Sequence, residues 1–171
     1  AKVLESRLVL KKRIHSEVEF SPEDRQRYYS AWYYSAVCIG LTIPKLRTRA
    51  ALEKRLKISR DKLNEVLDFL VHTGLIEQKG DEYFPGKRHL HLGNDSTLAA
   101  HHHAAWRVRT MQSLDQEGIR DLHYSSVVSL SESDAIELKK LAVDFIDRLQ
   151  KRVAPSPEET LRVFCLDFFE I

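Results

Sequence analysis

The sequence predicts an α+β fold that is mostly helical, and three observations lead to this prediction. Residues 48–84 read as two short helices followed by a hairpin, which is the element order of a winged helix. Residues 131–153 show the apolar periodicity of an amphipathic helix, and apolar segments flank it at 122–130 and 161–171. The predicted fold is therefore a winged-helix-like domain followed by a small β-α-β unit.

The two short helices are predicted from their apolar positions and from a cap between them. In the first, Leu52 and Leu56 lie on one face together with Ala51. Ser59 offers a hydroxyl that caps a second helix beginning near Arg60. The apolar face of this second helix repeats at three- and four-residue spacing. It consists of Leu63, Val66, Leu67 and Leu70.

A glycine stop and a hairpin follow the second helix. Gly74 can adopt the left-handed conformation beyond the last turn, and Leu75 is placed to make the accompanying apolar contact. The next ten residues alternate about Lys79-Gly80-Asp81, a composition suited to a tight hairpin turn. This hairpin is the predicted wing, and the winged-helix-like domain is expected to span residues 21–94.

A helix start is also evident upstream, where Ser21 stands at the cap position and Pro22 at the first helical position. The stripe that follows is aromatic, and we interpret it as core or a dimer seam. Its members are Tyr29, Trp32, Tyr33, Ala36, Val37 and Gly40. Residues 1–20 are expected to be a linker, or a helix from a module upstream.

Residues 95–171 are expected to form a helix plus a β-α-β regulatory or dimerisation unit. The first helix begins near Asp95 or Ser96 and should bury a stripe on one side. That stripe contains Leu98, His102, Ala105, Trp106 and Met111. Ser131 caps the amphipathic helix, and both flanking segments are predicted to be strands, with 161–171 covered on each side. The apolar face of this helix comprises Leu138, Leu141, Phe145, Ile146 and Leu149.

Charge is distributed unevenly along a chain whose net charge is only +2. Residues 45–62 contain eight basic and two acidic residues, so this segment carries +6 and the rest carries −4. Such a concentration beside a helix-turn-helix is typical of phosphate contact, although it also occurs on an ordinary solvated helix face. The candidate nucleic-acid-binding residues are Lys45, Arg47, Arg49, Lys54, Arg55, Lys57, Arg60, Lys62 and Lys79.

Acidic residues on the second helix weaken the DNA interpretation. Asp61, Glu65 and Asp68 would lie among phosphates if this helix entered a major groove. The pattern favours a winged helix used for protein contact, or one that approaches DNA through its first helix and wing. We expect any DNA affinity of this domain alone to be weak.

Evidence for other chemistry is slight. His101, His102 and His103 are consecutive, so on a helix they point about 100° apart and cannot all face one ion. We keep His102, His103 and Trp106 as a ligand-binding candidate, and we predict no metal and no cofactor. Cys38 and Cys165 lie in apolar runs and are expected to be buried, reduced thiols. No catalytic motif is present, so we do not expect an enzyme.

The order of several sequence runs is similar to that of a known family. The runs are YYSAWYYSAV, AALEKRLKISRDKLNEVLDFLVHTGLIE, HHHAAWRVRTMQSL, RDLHYSSVVSLSESD and RVFCLDFFEI. From about Ser21 onward they resemble the C-terminal domain of an uncharacterised bacterial family of predicted transcriptional regulators. The matching positions are Trp32, Leu56, Leu63, Leu67, Gly74, Leu75, His103, Arg120, Ser129 and Phe169.

The resemblance implies a role in gene control. Full-length members of the family resemble a lambda-repressor-like helix-turn-helix followed by this domain of unknown function. No such N-terminal module is present in this sequence, so we expect it to be the regulatory half. The family often has a proline after the last phenylalanine, where this chain has Glu170-Ile171.

We therefore expect a cytoplasmic regulatory and oligomerisation domain of a bacterial transcriptional regulator, with DNA contact made mainly by the absent N-terminal helix-turn-helix. Expected partners are a second copy in a homodimer, DNA, and a protein partner or small-molecule effector, but no membrane. One alternative is a winged helix that binds DNA through its own segment 45–62. The other alternative is a ligand- or metal-responsive sensor domain.

Overall fold

The computed structural model describes residues 20–88, 97–115 and 121–171. The predicted linker before Phe20 and the predicted helix start at Asp95 or Ser96 lie outside these described residues. Within them the chain forms six α helices, one short 3-10 helix and one two-stranded antiparallel sheet, which confirms a mostly helical α+β class. The elements are α1 (Pro22–Tyr29), α2 (Trp32–Gly40), the 3-10 helix (Pro44–Leu46), α3 (Arg49–Leu56), α4 (Arg60–His72), β1 (Ile76–Lys79), β2 (Glu82–Pro85), α5 (Leu98–Leu114) and α6 (Glu132–Val153).

The described residues divide into two compact units, the first ending at Ala105 and the second beginning at Trp106. The core of the first unit is built around α4, which packs against α2, α3 and β1. The predicted apolar face of α4 is confirmed, because its four leucine and valine side chains are fully buried. They are Leu63, Val66, Leu67 and Leu70. Burial of each such side chain contributes roughly 1.5–3 kcal/mol, so α4 supplies a large share of the stability of this unit.

Both ends of α4 follow the chemistry that the sequence predicts. The Ser59 hydroxyl accepts a hydrogen bond from the Lys62 N–H at 3.3 Å and caps the start of the helix. Gly74 follows the helix with φ +73°, and the N–H of Leu75 donates to the Leu70 carbonyl at 3.0 Å. This hydrogen bond closes a six-residue turn and gives a partner to a carbonyl that the end of the helix would otherwise leave unpaired.

The predicted hairpin is confirmed. In the pairing of β1 with β2, Ile76 stands opposite Pro85 and Lys79 opposite Glu82. The two-residue loop has positive φ at Gly80 only, which is the pattern of a type II′ turn. β2 is also held on its other side, because the Tyr83 N–H donates to the Arg47 carbonyl at 2.7 Å. An isolated bridge between Thr48 and Glu82 extends this second pairing.

The upstream region forms two helices where the aromatic stripe suggested one. The Ser21 cap is confirmed, since its hydroxyl accepts from the Asp24 N–H at 3.0 Å. The helix then breaks because Ala31 adopts an extended backbone between α1 and α2. The break shifts the helical phase, so Tyr34 is buried at 2% exposure while Tyr33 remains half-buried.

In the second unit, α6 is confirmed, with the Ser131 hydroxyl accepting from the Asp134 N–H at 3.1 Å. The two predicted flanking strands are wrong, because residues 122–130 and 161–171 form no strand in the structure. An alternating sequence favours extended backbone, but a strand also needs a hydrogen-bonded neighbour. Neither segment has a strand partner among the described residues, so the predicted β-α-β unit is corrected to a helix with two irregular flanks.

Two burial predictions in this region are also wrong. The segment 161–171 is not covered on both sides, since Phe164 is 50% exposed and Phe168 is 49% exposed. The helix α5 has no fully buried residue among its 17, and Met111 is 67% exposed. Both errors have one cause: periodicity identifies an apolar face, but it does not show that another element covers that face.

Candidate nucleic-acid interface

The basic segment 45–62 runs through the 3-10 helix, α3 and the first turn of α4. Thr48 caps α3 through its hydroxyl, which accepts from the Ala51 N–H at 3.3 Å. Lys57 ends α3 with a left-handed backbone, φ 55° and ψ 40°. The short turn from Lys57 to Ser59 therefore sets the angle between the two helices that carry most of the basic side chains.

Two arginines of this segment are used inside the first unit. The Arg47 guanidinium donates from Nε to the Leu41 carbonyl at 3.3 Å and lies 4.9 Å over the Phe84 ring. The Arg49 Nη2 donates to the Tyr83 hydroxyl at 2.8 Å. Both side chains therefore fasten the start of α3 to the hairpin, which limits what they offer to a phosphate.

The basic residues at the start of α4 are paired with carboxylates. Arg60 lies 3.3 Å from Glu53 of α3, and Lys62 lies 2.6 Å from Glu65 one turn along the same helix. Glu65 also accepts from Arg27 of α1 at 3.1 Å. The end of α4 that a groove would receive is thus largely neutralised within the chain.

The pairing also shows in the ionisation of the two α4 residues. The hydrogen bond from Lys62 is the main reason that the pKa of Glu65 is lowered. The same hydrogen bond is the main reason that the pKa of Lys62 is raised. Both groups stay charged at neutral pH, and a phosphate would have to compete with Glu65 for the Lys62 ammonium.

A smaller basic surface stays exposed on the 3-10 helix and α3. Its members are Lys45, Lys54, Arg55 and Lys57. On the hairpin, Lys79 lies 3.6 Å from Glu77 and 5.2 Å over the Phe84 ring. Five of the nine candidate residues thus make the contacts within the chain described above, and the other four are exposed on the 3-10 helix, on α3 and at its end.

The outer face of α4 is acidic in the folded chain as well as in the sequence. Asp61, Glu65 and Asp68 are all exposed. Carboxylates repel phosphates and can read only cytosine by direct contact, so this helix face is poorly suited to a DNA groove.

Sequence reasoning missed Arg27, which lies outside every predicted site. Its Nε donates to the Tyr34 hydroxyl at 3.1 Å, and its guanidinium lies 4.7 Å over the Phe69 ring while pairing with Glu65. Glu65 is 38 residues away in the chain, so no local pattern could have indicated this contact.

The ligand-binding candidate His102, His103 and Trp106 lies on α5. The His102 ring packs edge-on against Tyr29 at 5.4 Å, and its centroid lies 6.0 Å from that of His103. Trp106 belongs to the second unit. Within the residues that the structure describes, no group of three or more His, Cys, Asp or Glu side chains is arranged to hold a metal ion.

Both cysteines are free and half-buried, so the predicted thiols are unpaired but less enclosed than expected. Burial raises the pKa of the Cys38 thiol to about 12. This thiol is therefore protonated at neutral pH and unsuited to nucleophilic chemistry. Cys165 accepts a weak hydrogen bond from the Thr110 hydroxyl at 3.8 Å.

Comparisons with known proteins bear on the family of the chain. Across the described part of the chain, no helix has the length and apolar character needed to cross a bilayer. No curated protein and no solved structure matches the chain. A family model described as Domain of unknown function (DUF4423) matches residues 11–171. Because this match covers most of the sequence, the chain belongs to the DUF4423 family.

Proposed function

We propose that this chain is a regulatory and assembly domain of a bacterial transcriptional regulator, in which residues 32–85 form a winged helix used mainly for protein contact. In this proposal, sequence-specific DNA contact is supplied by another part of the regulator, and the domain itself performs no catalysis. The observation that carries the proposal is the acidic, internally paired face of α4.

The winged-helix assignment is supported by the order and pairing of the elements. Three helices, α2 to α4, are followed directly by the β1–β2 hairpin. The backbone before α3 pairs with β2 through the isolated Thr48–Glu82 bridge, beside the two-stranded sheet. The hairpin is therefore joined to the end of α4 by the chain and to the start of α3 by backbone pairing, as expected of a wing.

The protein-contact role is supported by the electrostatics of α4. In a groove-reading helix the exposed face carries donors for base edges and phosphates. Here Asp61 and Asp68 are exposed carboxylates, and Glu65 already binds two cations of its own chain. An acidic helix face of this kind is better matched to a basic or polar protein surface than to a polyanion.

Fluorescence anisotropy with short labelled duplexes tests the proposal. We expect dissociation constants in the non-specific range of roughly 10⁻⁴ to 10⁻⁶ M at physiological salt, similar for unrelated sequences. Raising the salt should weaken this binding steeply. Nanomolar binding that selects one sequence at physiological salt would reject the proposal.

A second candidate function is direct DNA binding by the winged helix, and the exposed basic surface favours it. The Lys54→Glu variant distinguishes the two roles, because this lysine is one of the exposed basic residues of α3. If the surface contacts phosphates, Lys54→Glu should weaken binding equally for all sequences and reduce the salt slope by about one. Lys87→Glu makes the same charge change at an exposed site outside the segment and is the matched control.

A further inference from the structure

The second unit exposes an unusual amount of apolar surface. In residues 106–115 and 121–171, no side chain is fully buried. The exposed apolar side chains lie mainly on α6 and on the segment 161–171. The largest exposures there include Leu141 at 61%, Phe145 at 48%, Phe164 at 50%, Phe169 at 77% and Ile171 at 97%. Exposed apolar surface this continuous marks an interaction site more often than single exposed residues do.

The surface is organised as a stripe along α6. Leu138, Leu141, Phe145 and Leu149 follow one another at three- and four-residue spacing, so they share one side of the helix. Phe164 packs against Phe145 with ring centroids 5.4 Å apart, which attaches the segment 161–171 beside the stripe. The stripe remains 42% exposed at Leu138 and 61% exposed at Leu141, so a face of it is still open.

The charges of α6 change sign from one end to the other. The first six residues carry three acids, Glu132, Asp134 and Glu137. The last six carry three bases, Arg148, Lys151 and Arg152. A helix with this order is electrostatically complementary to an inverted copy of itself and repels a parallel copy in register. The helix macrodipoles favour the same inverted arrangement.

The charges also lie on the side of α6 that carries the stripe, as such a pairing requires. Asp134 and Arg152 are 18 residues apart, which is about five turns, and they therefore point in the same direction. Glu137 and Arg148 are 11 residues apart, which is about three turns. Asp134 precedes Leu138 by four residues, so it lies in line with the apolar stripe at the start of α6, and Arg152 lies in line with it at the end.

We infer that two copies of this chain associate through an antiparallel, two-fold pair of α6 helices. With the two-fold axis near Val143, Leu141 of one copy meets Phe145 of the other. Asp134 then lies opposite Arg152 of the second copy, and Glu137 lies within one residue of Arg148. This inference rests on the assembly role proposed above and assigns it a surface, a partner and an orientation. Each contact occurs twice, as a two-fold interface requires.

Sedimentation velocity on the full chain tests the inference through single charge reversals. The unmodified chain should dimerise at micromolar concentration. Asp134→Arg alone places two arginines opposite each other, and Arg152→Asp alone places two aspartates opposite each other. Each variant should weaken dimerisation roughly tenfold or more. An equimolar mixture of the two variants should restore it as a heterodimer, which also shows that both variants are folded.

A matched control uses Lys140, which lies on the far side of α6 from the stripe. Lys140→Asp makes the same charge change as Arg152→Asp and should leave dimerisation unchanged. A monomer at tens of micromolar would overturn the inference together with the assembly role. A dimer that ignores both single reversals would overturn the α6 pairing alone. Sequence-selective nanomolar DNA binding would reject the proposed function without affecting the α6 pair.

Discussion

Gly86 lies where the end of β2 passes over the end of α4, and replacing it tests how tightly these elements pack. The Gly86 N–H donates to the Leu75 carbonyl at 2.9 Å. A methyl group added at Gly86 would lie 2.8 Å from the Leu75 carbonyl carbon and closer still to the Gly74 carbonyl oxygen. Both neighbours are backbone, so no side-chain rotation can relieve the overlap.

The expected cost of Gly86→Ala follows from that geometry. Overpacking typically lowers the free energy of unfolding by about 1–3 kcal/mol. We expect a loss of about 3 kcal/mol here, because the backbone itself must move. For a unit of this size, such a loss lowers the melting temperature by roughly 10–20 °C. Gly80→Ala is the matched control, since its added methyl meets nothing within 4 Å. Its φ of +61° still makes that control cost about 1–2 kcal/mol.

Urea denaturation followed by tryptophan fluorescence measures both variants. A Trp106→Phe background leaves Trp32 as the reporter of the first unit, because Trp106 belongs to the second. The free energy of unfolding should fall more for Gly86→Ala than for Gly80→Ala. A smaller loss for Gly86→Ala would refute the reasoning that the β2 end and the α4 stop are in close backbone contact.

Three further predictions concern single side chains of the first unit. Ser59→Ala removes the α4 cap and should lower the free energy of unfolding by about 1 kcal/mol in urea denaturation, whereas Ser59→Asp should preserve it. The lowered pKa of Glu65 stabilises the fold above the unfolded value near 4.5, and this contribution disappears as the pH falls through the folded value. In an acid titration monitored by circular dichroism, the stability of Glu65→Gln should therefore fall less steeply with decreasing pH than that of the unmodified chain. The raised pKa of Cys38 stabilises the fold below about pH 9, and this contribution is lost as the pH rises toward 12. Iodoacetamide at pH 8 should alkylate Cys38 slowly in the native chain and rapidly in urea, as measured by mass spectrometry.

The sequence predicts well those features whose energy comes from neighbouring residues. The Ser59 cap, the apolar spacing that begins at Leu63 and the Gly74 stop each involve groups within about one helical turn. The hairpin likewise depends on two loop residues with defined backbone angles. Such features can be inferred without knowing where the rest of the chain lies.

Features that need a distant partner were predicted poorly. The segments 122–130 and 161–171 have an extended pattern, but alternation does not supply a neighbouring strand. In the candidate site, the positions of the basic residues were evident from the sequence. Their engagement was not, because Arg49 meets Tyr83 across 34 residues and Arg27 meets Glu65 across 38.

Lys57 has a left-handed backbone, so a substitution that relieves its strain would also remove a positive charge. A lysine in this conformation costs about 1–2 kcal/mol, whereas glycine adopts it without strain. Selecting variants for thermal resistance should therefore favour Lys57→Gly, and selecting them for attraction to polyanions should retain the lysine. The turn between α3 and α4 is thus a position where a more durable protein would also be a less cationic one.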